Sequence, residues 1–350
     1  MALIKFSGVG ISAMSACVPS NISANSELGY LVPQDALKKL IRFTGIEEKR
    51  IVDSGVCASD LCFKAAENLM EENNIEKASI DMLLFLSLSP DFISPPTSTI
   101  LQDKLGLPVT TGALDLSMAC SGFVYALSTA FAFAATEGVN RVLVLVGETM
   151  SKYSNPNDRV NFPLYGDAGT ACLVEKGDYK DSYFMLSSDG RGSDLVKIPS
   201  GGARNPADMD SLKDKEREDG NIRRDVDITM DGLSTFNHAV SIIPKQVKDL
   251  MRFANITHED VDYFVSHQAN KFMIDFITKR LKFPKEKVPF CIKKYGNTSA
   301  ASIPLTIVSE LVDKLESDHS MLLSAIGAGW SFGTAFLQNR KIKITRISDY

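Results

Sequence analysis

The chain repeats part of itself at an offset of 181 residues, which is about half of its 350-residue length. Residues 64–81 share six identities with residues 245–262. The identical pairs are Lys64 and Lys245, Leu69 and Leu250, Met70 and Met251, Asn74 and Asn255, Ile75 and Ile256, and Asp81 and Asp262. Solenoid proteins repeat every ~20–50 residues, so an offset this long predicts duplication of one α/β unit instead. We therefore expect an N-terminal half over residues 1–180 and a C-terminal half over residues 181–350.

Short apolar runs bounded by polar turns recur along both halves, as is typical of buried strands. These runs lie at residues 83–86, 141–146, 170–174, 263–265, 321–325 and 333–337. Helical stretches such as residues 61–72 and 303–316 separate them, and this alternation predicts a layered α/β fold with mostly buried sheets. Residues 201–224 carry alternating charges instead, so we expect an insertion or a surface loop there, with a mobile flap as the alternative.

The composition is that of an ordinary globular chain and argues against several classes of protein. Hydrophobic residues make up 44% of it, and 38 Lys and Arg against 43 Asp and Glu give a net charge of -5. Such a chain is too apolar for disorder and has no overall positive field to hold nucleic acid. No segment supplies the roughly 20 continuous apolar residues of a membrane span. The six cysteines form no CxxC pair, so we expect reduced thiols, no metal site and a cytoplasmic location.

A candidate nucleophile stands at the end of a strand-like run over residues 115–119. Cys120 follows that run, and the nearly all-apolar stretch up to Ala135 has the length of a buried helix. Unpaired backbone N–H groups and the helix dipole at such an N-terminus favour the thiolate, which is the nucleophilic form. The alternative is a buried structural cysteine, the usual fate of a free thiol.

Three segments of the C-terminal half carry further candidates. His267 ends a predicted strand, where open α/β sheets place their sites, although a lone histidine is more often structural. Asn297 lies in a predicted turn, and Ser299 is suited to cap the helix that follows. Residues 327–329 read Gly-Ala-Gly after an apolar strand. Such glycines either bring backbone N–H groups close to a ligand, as an oxyanion hole requires, or merely allow a tight turn.

Taken together, these segments resemble the β-ketoacyl-acyl-carrier-protein synthase III family. The resemblance runs along essentially the whole chain. Its most specific segments are Ala119-Cys-Ser-Gly122, Gly166-Asp-Ala-Gly169, His267-Gln-Ala-Asn270, Gly296-Asn-Thr-Ser-Ala-Ala-Ser-Ile-Pro304 and, near the N-terminus, Thr44-Gly-Ile46 with Arg50. It implies a thiolase-like fold, which is a duplicated five-layer αβαβα arrangement with the nucleophile in the first half, and a homodimer.

The resemblance also implies a decarboxylative Claisen condensation, in fatty-acid initiation or in a specialised acyl pathway. Cys120 would take the acyl group of an acyl thioester, while its own backbone N–H and that of Ala328 hold the oxyanion. His267 and Asn297 would donate hydrogen bonds to malonyl carried on acyl carrier protein. Coenzyme A and phosphopantetheine thioesters would be substrates, with no cofactor bound permanently.

Two alternatives stay open beside this activity. One is an acyltransferase of the same fold that acts on a non-malonyl acceptor. The other is a non-catalytic subunit of a heteromeric synthase, against which the joint presence of Cys120, His267 and Asn297 argues. Products formed from malonyl and from non-malonyl acceptors would separate the two enzymatic alternatives.

The chain departs from the family pattern at positions that handle the substrate carriers. Lys39 stands where members have a tryptophan that stacks on the adenine of coenzyme A. Arg159 matches the arginine on the other face of the adenine and, with Asn270, is the expected coenzyme A contact. Because half of this clamp is missing, we expect either weaker binding of coenzyme A or a primer that arrives on a carrier protein.

A second departure follows the candidate histidine, where Phe272 replaces an arginine that members use to dock the carrier. Residues 271–294 nevertheless hold eight basic side chains against two acidic ones. An acidic carrier protein would be attracted to this local excess of positive charge. We expect docking on this segment unless it is only a solvated helix face. The expected docking residues are Lys271, Lys279, Arg280 and Lys282.

Overall fold

The computed structural model describes residues 1–350 and contains eighteen strands and eight α-helices. The strands are β1 (Ala2–Phe6), β2 (Val9–Val18), β3 (Ile22–Ala24), β4 (Glu48–Arg50), β5 (Met82–Leu86), β6 (Gly112–Leu116), β7 (Arg141–Thr149), β8 (Asp167–Lys176), β9 (Ser182–Ser188), β10 (Val196–Lys197), β11 (Lys215–Glu216), β12 (Ile222–Arg223), β13 (Thr229–Met230), β14 (Tyr263–Ser266), β15 (His319–Gly327), β16 (Ser331–Asn339), β17 (Lys343–Ile344) and β18 (Ser348–Asp349). The helices are α1 (Gln34–Thr44), α2 (Ala58–Glu72), α3 (Thr97–Lys104), α4 (Gly122–Ala135), α5 (Gly232–Ala254), α6 (Lys271–Leu281), α7 (Ile292–Tyr295) and α8 (Ser302–Glu310).

Two mixed sheets and three helical layers form an αβαβα sandwich. The first sheet has the strand order β17-β2-β8-β7-β5-β6, and the second has the order β1-β9-β16-β15-β14. Helices α4 and α8 lie between the sheets and share one hydrophobic core with both of them. Helix α2 covers the outer face of the first sheet, and α5 with α6 covers the outer face of the second. The predicted duplicated five-layer fold is therefore confirmed.

Both sheets contain the same three-strand unit. In the first sheet, β7 runs antiparallel to β8 and parallel to β5. In the second sheet, β15 runs antiparallel to β16 and parallel to β14. Each chain terminus joins the sheet of the other half. Strand β1 pairs with β9 in the second sheet, and β17 and β18 pair with β2 in the first. Each half of the chain thus supplies strands to the sheet of the other half.

The repeated residues at the end of α2 and α5 form the same helix stop. Asn74 and Asn255 both adopt the left-handed conformation, each with a φ of 53°. The N–H of the isoleucine that follows donates to a methionine carbonyl five residues back, over 2.9 Å in the first copy and 3.0 Å in the second. After glycine, asparagine is the residue that most readily adopts this conformation. The identities detected in the sequence therefore reflect one conserved backbone geometry in both copies.

The repeated aspartates tie neighbouring strands together. The Asp81 carboxylate accepts hydrogen bonds from the backbone N–H groups of Asn140 and Arg141, where β7 begins. The Asp262 carboxylate accepts from the N–H of Ser320 in β15 over 2.8 Å. In each half, the residue just before the parallel strand thus fixes the register of the strand beside it.

Two predicted segments differ in detail from the structure. The helix predicted for residues 303–316 ends at Glu310, because Leu311 leaves the helical conformation with a φ of -117°. Residues 201–224 include the short β11–β12 hairpin, and the buried ion pair between Arg223 and Asp158 fastens this hairpin to the body of the protein. No helix is both long and apolar enough to cross a membrane.

The helix stop gives a test of the duplicated geometry. Replacing Asn255 by Ala should lower the free energy of unfolding by about 1 kcal/mol relative to Asn255→Gly. The Cβ of alanine destabilises the left-handed conformation, alanine has no polar side chain to offset this, and glycine has no Cβ. Urea unfolding of the two variants measures the difference. Equal stability of the Ala and Gly variants would show that this position is not held in the left-handed region.

Candidate active site

A cavity of about 1180 Å³ reaches from the surface to the helices between the sheets. Its lining is mostly hydrophobic and includes residues of both halves of the chain. Cys120, His267, Asn297 and Ala328 all line it. The structure therefore brings together the predicted nucleophile, the histidine, the amide donor and the glycine-rich loop.

Cys120 lies between β6 and α4, at the position that the sequence predicts. Its Sγ atom is 3.7 Å from the Oγ atom of Ser299. Burial raises the pKa of the Cys120 thiol to about 11, and the hydrogen bond with Ser299 opposes this only in part. The expected thiolate is therefore not the resting form, because loss of hydration outweighs the hydrogen bonding that favours it.

His267 follows directly after β14 and is held by the start of α8. Its Nδ1 atom is 2.7 Å from the Oγ atom of Ser302, and the same oxygen accepts a hydrogen bond from the N–H of Gln268. The neutral ring carries one proton, and the donor in the hydrogen bond with Ser302 is set by which ring nitrogen holds that proton. Burial lowers the pKa of His267 to about 4, so the ring is neutral at pH 7.

Asn297 is positioned by backbone contacts with the N-terminal half. Its N–H donates to the carbonyl of Leu164 over 2.8 Å, and its carbonyl accepts from the N–H of Gly166 over 3.2 Å. The side-chain Oδ1 accepts from the N–H of Ser299, so the amide NH2 group remains available to the cavity. A Cβ on Gly166 would lie 2.1 Å from the carbonyl oxygen of Tyr295, so only glycine allows this approach.

The glycine-rich loop packs directly against the nucleophile. A Cβ on Gly327 would lie 3.0 Å from the backbone nitrogen of Cys120. The N–H groups of Cys120 and Ala328 donate to no backbone acceptor, and both residues line the cavity. Two free N–H groups beside a nucleophile are the donors that an oxyanion hole needs.

The site contains two residues that the sequence did not indicate as functional. Ser299 has a φ of 49° and does not cap α8, whose first turn follows Ala301, so the predicted cap is wrong. Its hydroxyl donates instead to the Oε1 atom of Glu148 over 3.2 Å. Glu148 is fully buried in β7, and burial raises its pKa to about 8. The one sequence signal was a glutamate at the end of an otherwise apolar strand.

The two residues expected to contact coenzyme A, Arg159 and Asn270, line the cavity, and so does Lys39, which stands in place of the stacking tryptophan. Arg159 Nη2 donates to the carbonyl of Asp219 over 2.8 Å, so the hairpin segment already engages this guanidinium. The Oδ1 atom of Asn270 accepts from the N–H of Met273 over 2.8 Å and thereby caps α6.

The expected docking residues extend outward from the cavity mouth along α6. Lys271 lines the cavity, whereas Lys279, Arg280 and Lys282 are exposed at the far end of the helix. Phe272 stacks on Phe43 with a centroid distance of 4.7 Å, and both rings are about half exposed. An aromatic pair and Lys271 therefore lie at the cavity, and the other three cations lie farther along α6.

Access distinguishes Cys120 from the other thiols. All six cysteines are free. Burial raises the pKa of Cys291 to about 12 and also raises the pKa of Cys62 and of Cys172, but only the Cys120 side chain lines the cavity. No group of three His, Cys, Asp or Glu side chains is arranged to hold a metal ion.

Comparison with known proteins places this arrangement in context. A family model described as 3-oxoacyl-[acyl-carrier-protein (ACP)] synthase III matches residues 114–190, and the model of its C-terminal part matches residues 251–339. A Campylobacter jejuni protein named "Putative 3-oxoacyl-[acyl-carrier-protein] synthase 3" is 35% identical over 99% of this chain and 98% of its own. A Rhodopirellula baltica β-ketoacyl-[acyl-carrier-protein] synthase III is 34% identical over 95% of this chain and 98% of its own. The crystal structure of a Burkholderia xenovorans 3-oxoacyl-(acyl-carrier protein) synthase has a TM-score of 0.93 and 34% identity, covering 100% of this chain and 99% of the other.

The backbone contact at Gly166 provides a test of the site geometry. Gly166→Ala should lower the free energy of unfolding by about 3 kcal/mol, because the new Cβ meets a backbone carbonyl that has no room to move. Urea unfolding measures the loss. Gly55→Ala serves as the control, since nothing lies within 4 Å of a Cβ there. Equal stability of the two variants would contradict the close approach that positions Asn297.

Proposed function

The chain belongs to the 3-oxoacyl-[acyl-carrier-protein] synthase III family, and on that basis we propose that it condenses an acyl group held on Cys120 with malonyl-acyl-carrier protein. The observation that carries the proposal is one apolar cavity that holds the Cys120 thiol, two free N–H groups and two uncharged side-chain donors. The reaction needs no permanently bound cofactor, because the thioesters of coenzyme A and phosphopantetheine are its substrates.

In the first half-reaction, the sulfur of Cys120 attacks the carbonyl carbon of an acyl thioester. The N–H groups of Cys120 and Ala328 bind the negative oxygen that develops in the tetrahedral adduct. The adduct collapses with cleavage of the original carbon–sulfur bond. The carrier thiol leaves, and the acyl group remains on Cys120.

In the second half-reaction, malonyl thioester enters the emptied part of the cavity. The Nε2–H of His267 and the side-chain amide of Asn297 donate to the thioester carbonyl oxygen. Loss of carbon dioxide then leaves an enolate, whose negative oxygen the same two donors stabilise. Because burial lowers the pKa of His267 to about 4, the ring stays neutral in this step and acts as a hydrogen-bond donor without giving up its proton. The enolate carbon attacks the acyl-Cys120 thioester, the carbon–sulfur bond to Cys120 breaks, and the β-ketoacyl product is released. The Cys120 thiolate that leaves takes up one proton and returns to the resting thiol.

The cavity mouth favours a primer that is carried by a protein. Lys39 offers no aromatic face for an adenine, and the Arg159 guanidinium already donates to Asp219. The cations along α6 suit the acidic surface of an acyl carrier protein. We therefore propose that acyl carrier protein delivers both the primer and the malonyl group.

The assembly and the location are also part of this proposal. Strand β6 ends the first sheet and has a neighbour on one side only, while Leu114 within it and the nearby Val109 are exposed. A homodimer that pairs this edge with its copy would cover these groups. Six free thiols fit the reducing environment of the cytoplasm.

The two half-reactions are expected to separate by mutation. His267→Ala and Asn297→Ala should each lower condensation with malonyl-acyl-carrier protein by about 100-fold, because each removes a donor to the enolate oxygen. Both variants should still take the acyl group onto Cys120. Mass spectrometry of the acyl-enzyme and of the product measures both steps.

The control for these variants is His258→Ala, since His258 lies outside the cavity and its side chain bonds to the carbonyl of Leu281. Unchanged condensation in the His267 and Asn297 variants would contradict the proposed roles. Product formed only with non-malonyl acceptors would identify an acyltransferase instead of a condensing enzyme.

The docking surface is tested by charge reversal. Replacing Lys279 and Lys282 together by Glu should raise the KM for malonyl-acyl-carrier protein by about 10-fold at low salt and leave the KM for malonyl-coenzyme A unchanged. The double reversal of Lys341 and Lys343, which lie outside the basic segment, is the matched control. Equal KM values for the carrier substrate in wild type and in the Lys279 and Lys282 variant would exclude this docking surface.

A further inference from the structure

Glu148 is a buried carboxyl group without a cationic partner. Its side chain has no exposed surface, and it takes part in no ion pair. Its Oε2 atom accepts from the N–H of Leu88 over 3.1 Å and from the hydroxyl of Ser87 over 3.5 Å. Burial of a carboxylate without a cation is costly. The carboxyl oxygens of Glu148 have hydrogen-bond partners, so the position of this group beside the nucleophile is the reason to ask what it does.

The hydroxyl of Ser299 connects this carboxylate to the nucleophile. It donates to Glu148 Oε1 over 3.2 Å, and the same oxygen lies 3.7 Å from Cys120 Sγ. A serine hydroxyl carries a single proton, so with that proton on the Glu148 side its lone pairs are left for the thiol S–H. The bond from the Ser299 N–H to Asn297 Oδ1 holds the hydroxyl in place.

No other side chain forms a hydrogen bond with Cys120 Sγ. His267 in particular is engaged through Nδ1 with Ser302 and makes no hydrogen bond to the thiol. The route through Ser299 is therefore the direct path by which the thiol proton is able to leave.

We propose that Glu148 accepts the proton of the Cys120 thiol through the Ser299 hydroxyl when the enzyme is acylated. The inference deepens the proposed function and rests on it. The thiol proton moves to Ser299 Oγ while the hydroxyl proton moves to Glu148 Oε1, which leaves a thiolate and a neutral carboxyl group. The thiolate forms the new carbon–sulfur bond, the carrier thiolate leaves, and it takes the proton back from Glu148 through the same hydroxyl. No net proton is gained or lost.

The balance of basicity supports this route. Burial raises the pKa of Glu148 to about 8 and lowers the pKa of His267 to about 4, so Glu148 is the stronger base of the two. The titratable groups whose charges couple to Glu148 are the thiols of Cys62 and Cys120 and the phenol of Tyr153, and no cation faces it. The ionisation of Glu148 is therefore governed by its burial and its hydrogen bonds. Glu148 does not contact the reacting atoms itself. It acts through Ser299, which orients the thiol proton, and is therefore a positioning residue.

The test is the pH dependence of acylation in wild type and in Glu148→Gln. Rapid quenching followed by intact-mass measurement gives the rate at which an acyl thioester loads Cys120 between pH 6 and pH 9. The wild-type rate should rise through about pH 8 as the carboxyl group ionises. The Glu148→Gln rate should be about 100-fold lower at pH 8 and should lack this inflection.

A purely electrostatic role for Glu148 predicts the opposite result. Its negative charge raises the pKa of the Cys120 thiol, so removing the charge alone would make the thiol easier to ionise and acylation faster. Equal or faster acylation in Glu148→Gln therefore overturns the proposal. If the wild-type protein takes no acyl group, the proposed function and this inference are both contradicted. Equal acylation rates in wild type and in Glu148→Gln contradict the inference alone.

Two further variants keep the test independent of folding. Ser299→Ala breaks the same path at its other end and should lose the same pH inflection. Asp262→Asn also removes a carboxylate that accepts backbone hydrogen bonds, but far from Cys120, and should leave the acylation profile unchanged. In a Cys120→Ala background, Glu148→Gln should not slow malonyl decarboxylation, because that step moves no thiol proton. A decarboxylation loss equal to the acylation loss would indicate general damage to the site and overturn the inference.

Discussion

The backbone contact between the Asn297 loop and residues 164–166 is the interaction on which the rest of the site depends. Two hydrogen bonds join these segments, and the absent side chain of Gly166 lets them approach. Residues 164–166 belong to the N-terminal half and directly precede β8, and the Asn297 loop belongs to the C-terminal half. Because the contact is made by backbone groups, it fixes Asn297 and the neighbouring Ser299 relative to the N-terminal half, and so relative to Cys120, without relying on flexible side chains.

The duplicated layers bury the residues around this contact. Cys120 precedes α4, and Ser302, which orients His267, begins α8, so both central helices start at the same cavity. Burial is the main cause of the protonation states: it raises the pKa of the Cys120 thiol and lowers that of His267. The resting site is therefore a neutral thiol beside a neutral imidazole. The thiol must lose its proton before it attacks, and the neutral imidazole is a weak base. A separate proton acceptor such as Glu148 is therefore needed.

Sequence reasoning predicted the framework better than the environment of the site. The internal repeat and the apolar runs predicted the duplicated sheets because helix stops and strand patterns are local properties. Cys120, His267 and Asn297 were identified from family motifs, and the structure places them around one cavity. The Ser299 cap was wrong because a local rule does not show that a distant glutamate competes for the hydroxyl. The thiolate expectation failed for a similar reason, since burial depends on how the layers pack and not on the residues beside Cys120.

The most direct test of the account is the intact mass of the purified protein after incubation with acyl-coenzyme A and acyl-carrier-protein donors, beside Cys120→Ala. The account predicts a mass gain equal to one acyl group, larger with carrier-bound donors and absent in the variant. A gain that survives in Cys120→Ala would contradict the assignment of the nucleophile. No gain with any donor of either kind would contradict the proposal that this chain forms an acyl-enzyme.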